Sequence, residues 1–317
     1  MTFESVGTMH LFAAKLNNSD DWHDIKRSVP AFAPLIHGMM RKENLPLAAV
    51  ECAMPGTNAV FKAGKYVVKI FVPPELASHG GYGTDFSVEL FGMKWANKLG
   101  VPSPNLVASG MMADKYAFRY MIMDYMQGEP LDKIEHKLSY EDKVKIGRNV
   151  RYMTTLLNVP CDNFTPIDIM QYAMSNEEWE QEGFPAPFLT ELSEYLNHFH
   201  MGQKVYCHGD IHEGNIIVDD NMHVALIDFA DAMYAPTEYE WVYIVSSLFG
   251  FEKPYMEGFF AAKYSIDDVL ALCMKWLPVH AWSHGLLAEM IGPAEDITSF
   301  AVMRERLRNW IESEKRK

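Results

Sequence analysis

Apolar and polar residues alternate over two stretches near the start of the chain, Leu47 to Met54 and Ala59 to Phe71. The residues that interrupt them, Pro55-Gly56-Thr57-Asn58 and Ala63-Gly64-Lys65, are turn formers. The pattern predicts short strands with tight connections. Within Val67-Val68-Lys69-Ile70-Phe71 it places Lys69 on the same face as Val67 and Phe71, an unusual position for an ordinary exposed lysine. From Asp85 to Leu99 the period becomes helical, with Phe86, Leu90, Met93 and Ala96 on one stripe. Tyr120 to Met126 is a continuous apolar run that predicts a buried strand, and it enters the turn Gln127-Gly128-Glu129-Pro130. Further on, Ile216-Ile217-Val218 and Val224-Ala225-Leu226-Ile227 flank Asp219-Asp220-Asn221, which predicts a hairpin. Residues 139 to 200 and 236 to 312 carry largely helical patterns.

With 317 residues, 49% of them hydrophobic, the chain has material for two domains with sizeable cores. The turn after Met126 divides them as 1–126 and 127–317. The first twenty residues have no basic n-region or cleavage site, and the longest uncharged apolar run, Trp241 to Phe251, is too short to span a bilayer. A cytoplasmic protein with no membrane partner is expected. Cys52, Cys161, Cys207 and Cys273 are scattered, with no C-x-x-C pair, which suits a reducing compartment. The formal net charge of −14 argues against a nucleic-acid partner and favours a cationic ligand.

The chemistry is concentrated between Tyr206 and Ala230, YCHGDIHEGNIIVDDNMHVALIDFA. Asp210 and Asn215 stand five residues apart, the interval of the kinase catalytic loop H-R-D-x-x-x-x-N, and Asp228 opens Asp-Phe-Ala where kinases have Asp-Phe-Gly. The predicted hairpin returns Asp228 to the neighbourhood of Asn215. Two oxygen ligands there suit magnesium on nucleotide phosphates and leave Asp210 to accept a proton from an acceptor hydroxyl. Lys69 matches the strand lysine of V-A-I-K, with Glu89 as its candidate ion-pair partner and Asp85 as a competitor. Met54 to Val60 holds one glycine where protein kinases have three, so phosphate cradling is expected from Gly56, Thr57 and Asn58 through backbone N–H groups. Adenine contacts are expected at the backbone of Asp124 and Met126, with Met123 packing behind. Too few residues separate Asp228 from Pro236 for an activation loop, which points to a small-molecule kinase. His208-x-Asp210 with a distal His280 also has the ligand types of an iron oxygenase site, but the helical patterns do not suit the barrel that usually carries one.

The order PGTNAVF, VVKIF, GVPSPNLVASG, MIMDYMQGEPL, HGDIHEGN and IDFADA resembles the aminoglycoside phosphotransferase and choline kinase superfamily over roughly residues 50 to 250. Within it the chain is most similar to the hygromycin B phosphotransferases, through its helical preface and Pro236-Thr237-Glu238-Tyr239-Glu240-Trp241. The resemblance implies an α+β, protein-kinase-like bilobal fold, with a small antiparallel-sheet N-lobe and a larger, mostly helical C-lobe. It implies nucleotide phosphates at Lys69, a catalytic base at Asp210, magnesium at Asn215 and Asp228, and ATP as donor with GTP as the alternative. It also implies a hydroxyl acceptor on an aminoglycoside such as hygromycin B, the alternative being choline, another amino alcohol or a sugar. Two positions depart from the pattern: Ala230 replaces a common Gly, and Glu240-Trp241 stands where many relatives have Asp-Leu. Acidic residues Asp231, Glu238 and Glu240, and the run Asn176 to Glu182, are candidates for holding a cationic acceptor, with His280 and Trp282 as candidate cleft residues. On a helix, Glu178 and Glu182 would share a face.

Overall fold

The computed structural model describes residues 10–53, 56–76, 82–161 and 177–314. Met54 and Pro55 of the expected nucleotide loop, His79 to Gly81 and Asn176 lie outside the described residues. The chain divides into two compact units: the residues up to Asn97 together with Pro104–Met126, and Lys98–Ser103 together with the residues from Gln127 onward.

In the first unit, helices α1 (Ser19–Ile25) and α2 (Val29–Lys42) precede strands β1 (Val50–Cys52), β2 (Ala59–Ala63) and β3 (Tyr66–Ile70). Helix α3 (Tyr82–Leu99) and strands β4 (Leu106–Ala113) and β5 (Ala117–Asp124) complete it. The sheet order is β1-β2-β3-β5-β4, antiparallel throughout. The alternating stretch from Leu47 shortens to three residues, because Leu47 is 50% exposed and has no core to face. Gly64 turns β2 into β3 with φ 64°, which a side chain would resist. One sheet face packs on α1 and α2 through a chain of rings, Trp22, Phe32, Phe12 and Phe118, with centroids 5.0–5.7 Å apart. Each such ring removes a large apolar area from water, and tilted or edge contacts of this kind add to that burial. The helical preface is therefore part of this unit's core.

The second unit is mostly helical. It contains the two-residue strand β6 (Glu129–Pro130), helices α4 (Leu131–Ile134), α5 (Tyr140–Leu157), α6 (Glu177–Glu182) and α7 (Ala186–Asn197), then strands β7 (Val205–Cys207), β8 (Ile216–Val218), β9 (Val224–Leu226) and β10 (Met233–Ala235). Helices α8 (Thr237–Tyr243), α9 (Lys253–Phe259), α10 (Ile266–Trp276), α11 (Ser283–Ile291) and α12 (Phe300–Glu314) follow. Helix α5 opens with a reciprocal capping box between Ser139 and Asp142, as α10 does with Ser265 and Asp268. Helices α5 and α9 approach so closely that a Cβ on Gly258 would lie 2.1 Å from the Val144 carbonyl oxygen. Two small antiparallel ladders, β6-β8-β9 and β7-β10, carry the candidate site. No helix among the described residues is long and apolar enough to cross a membrane.

Candidate active site

Strand β7 ends at Cys207, and the next three residues turn sharply to present Asp210. The turn depends on Gly209: its φ is 89°, and a Cβ there would sit 2.0 Å from the Asp231 carbonyl oxygen. No side chain fits that approach. Buried His208 fixes the turn from inside. Its Nδ1 accepts from the Asp210 N–H at 3.3 Å and its Nε2 donates to the Ile227 carbonyl at 3.1 Å, tying the catalytic loop to the residue before Asp228. Because Nδ1 accepts, the tautomer with the proton on Nε2 is selected.

The predicted hairpin forms, with Ile216 opposite Leu226 and Val218 opposite Val224. The ladder continues one step outward, where Ile227 N–H donates to the Asn215 carbonyl at 3.1 Å. This contact brings Asp228 back beside Asn215. Asp228 adopts φ 62°, a backbone region that non-glycine residues occupy at a cost and that recurs at functional sites. The Asn215 amide nitrogen donates to the Asp210 carbonyl at 3.0 Å and to its carboxylate Oδ2 at 3.1 Å. Both of its N–H donors are thereby directed at Asp210, so its amide oxygen is the atom left for a cation. An amide oxygen and the Asp228 carboxylate are the hard donors that magnesium prefers, and this ion commonly takes only one or two protein ligands with phosphate and water as the rest. The residues present therefore fit the implied ion.

Burial raises the Asp210 pKa above its ordinary value. The nearby charge of His212 and the Asn215 hydrogen bond oppose the shift, while Asp228 and Glu213 add to it. His212 lies with Nε2 3.6 Å from the Asp210 carboxylate, and its Nδ1 accepts from the Gly214 N–H at 3.1 Å, which points an N–H at the base. Its spacing two residues beyond Asp210 was visible in the sequence.

In the first unit, Lys69 Nζ lies 2.8 and 2.7 Å from the two Glu89 oxygens, with Lys69 6% and Glu89 1% exposed. Lys69 sits in β3 opposite Val60 and Met121, and Glu89 projects from α3. A buried pair of this kind is expensive to break because the remaining charge would be stranded. The nucleotide-loop residues are held from behind by α1: Trp22 Nε1 donates to the Thr57 carbonyl at 2.9 Å, and Lys26 Nζ donates to the Gly56 carbonyl. The buried Asn58 side chain accepts from the Val72 N–H at 3.2 Å and so serves the loop's own structure. Met123 is 6% exposed in β5. The Asp124 N–H donates to the Asn105 carbonyl at 3.0 Å.

The expected acceptor acids separate. Glu240 is 2% exposed, and its carboxylate accepts from the His208 N–H, from the Gly209 N–H at 3.2 Å and from Asn158 Nδ2 at 2.6 Å. It is an internal brace of the catalytic loop and cannot meet an acceptor, which corrects the sequence expectation. Glu238 is exposed in the first turn of α8, and Asp231 is half-buried beside the Gly209 turn. Glu178 and Glu182 share a face as expected, and His284 of α11 approaches both, at 3.3 and 3.8 Å. His280 is buried and stacked between rings, so it lines no cleft and is no ligand of the Asp210 site.

The first unit thus holds the Lys69–Glu89 pair, and the second holds Asp210, Asn215 and Asp228 close together in the chain's path. The phosphotransferase enzyme family known as APH matches residues 61–271. This chain belongs to that family, and it is a phosphotransferase. Among solved structures, the ternary complex of streptomycin, ATP and APH(2")-IIa superposes with a TM-score of 0.58 at 17% identity, covering 85% of this chain and 97% of that one. The GDP complex of wild-type aminoglycoside 2'-phosphotransferase-IIIa gives 0.58 at 15% identity, covering 88% and 94%. Choline kinase LicA from Streptococcus pneumoniae gives 0.53 at 13% identity, covering 89% and 99%. No curated protein matches the sequence.

Proposed function

We propose that the protein moves the γ-phosphoryl group of ATP to a hydroxyl of a small cationic acceptor, an aminoglycoside such as hygromycin B, in the cytoplasm. The observation that carries this reading is the Asp210-Asn215-Asp228 arrangement, in which one half-buried carboxylate is raised in pKa and accepts from Asn215, while a backbone hydrogen bond from Ile227 returns the other aspartate to the neighbourhood of Asn215. Asp210 takes the proton of the attacking hydroxyl. Asn215 and Asp228 hold magnesium, which when bound neutralises charge on the phosphate oxygens. Lys69, fixed by Glu89, supplies a further positive charge to the nucleotide, and the backbone of Gly56, Thr57 and Asn58 receives phosphate oxygens. The Asp124 carbonyl and the Met126 N–H hold adenine in front of Met123. Fold similarity does not separate aminoglycosides from choline, since enzymes of both kinds superpose comparably. The net charge of −14, with Asp231 and Glu238 near the site, favours a polycation.

The test is ADP release from magnesium-ATP with a panel of aminoglycosides, amino alcohols and neutral sugars. Release above the water-hydrolysis background with an aminoglycoside supports the proposal. Release with an amino alcohol or sugar alone replaces it with a metabolite kinase.

A further inference from the structure

Three aromatic rings stack beside the catalytic loop. The His280 ring lies 4.4 Å from that of Tyr239 at 23° and 4.7 Å from that of Tyr243 at 7°, which inserts the imidazole between two tyrosines one helical turn apart on α8. The deep end of the stack is anchored. Tyr239 is fully buried, its ring meets Trp276 edge-on, and its hydroxyl accepts from the Ala281 N–H. The middle is neutral and fixed in orientation: burial pulls the His280 pKa down to about 3, and Nδ1 accepts from the Trp282 N–H at 3.3 Å. Nε2 therefore carries the proton, buried and without a hydrogen-bond partner. Such a group is costly, so the imidazole is poorly explained as mere core filling.

Tyr243 forms the outer end of the stack and is partly exposed. It is the last α-helical residue before a π-helix over Ile244–Leu248, a widened turn that re-aims side chains and is frequent at functional sites. Burial, with the negative charges of Asp210, Glu213 and Asp231, raises its phenol to about 12 against the opposing Ser247 hydrogen bond, so the ring is neutral. One face is thus covered by a neutral imidazole, while the ring stands in the field of three carboxylates, one of them the proposed base. An aromatic face in that setting attracts a cation carried on an apolar frame.

We propose that Tyr243 is the acceptor-specificity residue: its ring, held in place by His280, receives the protonated or quaternary amine of the acceptor and so sets the acceptor hydroxyl against Asp210. The inference rests on the phosphotransfer reading above and narrows it to amine-bearing alcohols. It assigns His280 a positioning role, since that residue itself touches no acceptor.

The test compares matched acceptors, an aminoglycoside or choline beside its N-acetylated or neutral carbon analogue, in the wild-type protein and in Tyr243→Phe, Tyr243→Leu and His280→Leu. Each protein is assayed with magnesium-ATP and checked for folding by circular dichroism. Tyr243→Phe should keep the acceptor KM within about threefold, because the ring is retained, whereas Tyr243→Leu should raise the KM of the cationic acceptor by about tenfold or more. Tyr243→Leu should also bring the cationic and neutral KM values together, a change of preference that general loosening would not produce. His280→Leu should raise the KM of the cationic acceptor in the same direction by a smaller factor. A folded Tyr243→Leu protein that retains the wild-type preference for the cation overturns the inference while leaving the phosphotransfer reading in place. A wild-type protein that turns over no amine-bearing acceptor overturns both.

Discussion

Asp210, the proposed base, illustrates how a short stretch of chain can set a carboxyl's environment. Its carboxyl is half-buried behind a turn that only Gly209 permits, is donated to by Asn215, and is faced by the His212 imidazole. Asp210→Asn should lower kcat by about 10²–10⁴-fold with nucleotide affinity largely intact, as read by steady-state assay and nucleotide titration. Because the charge of His212 holds the Asp210 pKa down, removing it lets burial, Asp228 and Glu213 act unopposed. His212→Asn should therefore move the acid limb of the kcat/KM profile to higher pH. An unmoved limb would show that His212 does not set the proton affinity of the base. The motif interval alone made Asp210, Asn215 and Asp228 legible in the sequence. What it concealed was Glu240, which belongs to the same acidic run as Glu238 yet points inward. Helical periodicity could have flagged this, since Glu240 lies next to buried Tyr239 and two residues before buried Val242, but an acid in an apolar stripe carries no label saying what it bonds.

At the scale of elements, the site is a set of ladders and helix starts held in register by a few buried polar contacts. Glu240 on α8 reaches across to the backbone of His208 and Gly209, so one carboxylate couples a helix to the end of β7. Glu240→Ala would strand the buried His208 and Gly209 N–H donors and remove one of the acceptors of the Asn158 amide. The expected loss is about 1–3 kcal/mol of stability in chemical denaturation, with a fall in kcat. Glu240→Gln keeps an acceptor oxygen and should lose less. The Glu240 pKa is raised by burial above its unfolded value, so its protonated form is favoured in the fold. The wild type should accordingly lose stability relative to the Gln variant as pH rises through that raised value, and a pH-independent difference would contradict this. The hairpin, the strand around Lys69 and the helix bearing Glu89 were readable because each rests on a local period of two or 3.6 residues. The π-helix after Tyr243 was not, because its residues have no period distinct from that of an α-helix; within it the Ser246 hydroxyl donates to the Val242 carbonyl at 2.6 Å. The Tyr239-His280-Tyr243 stack joins segments some forty residues apart, and no local pattern encodes such a contact.

Over the whole molecule, charge and architecture divide the work. Net charge −14 creates a field that draws cations, while the sheet unit and the helical unit each hold a buried polar constellation, Lys69 with Glu89 in one and Asp210 with Asn215 in the other. The KM of a polycationic acceptor should rise with salt, because partly exposed charges are screened over about 8 Å at physiological ionic strength, whereas that of a neutral acceptor should not. The units meet in sequence at Met126–Gln127, and Lys98–Ser103 falls with the larger unit, where the Leu226 N–H donates to the Pro102 carbonyl at 2.9 Å, a long-range contact that no local pattern encodes. We propose that this chain phosphorylates a hydroxyl of a cationic small molecule, with Asp210 as base. Mass spectrometry of hygromycin B, other aminoglycosides and choline after incubation with the protein and magnesium-ATP tests it most directly. One added phosphoryl group on a cationic acceptor is expected, formed by the wild type and not by Asp210→Ala. A phosphorylated product that forms equally with Asp210→Ala, or phosphorylation of neutral sugars alone, would contradict it.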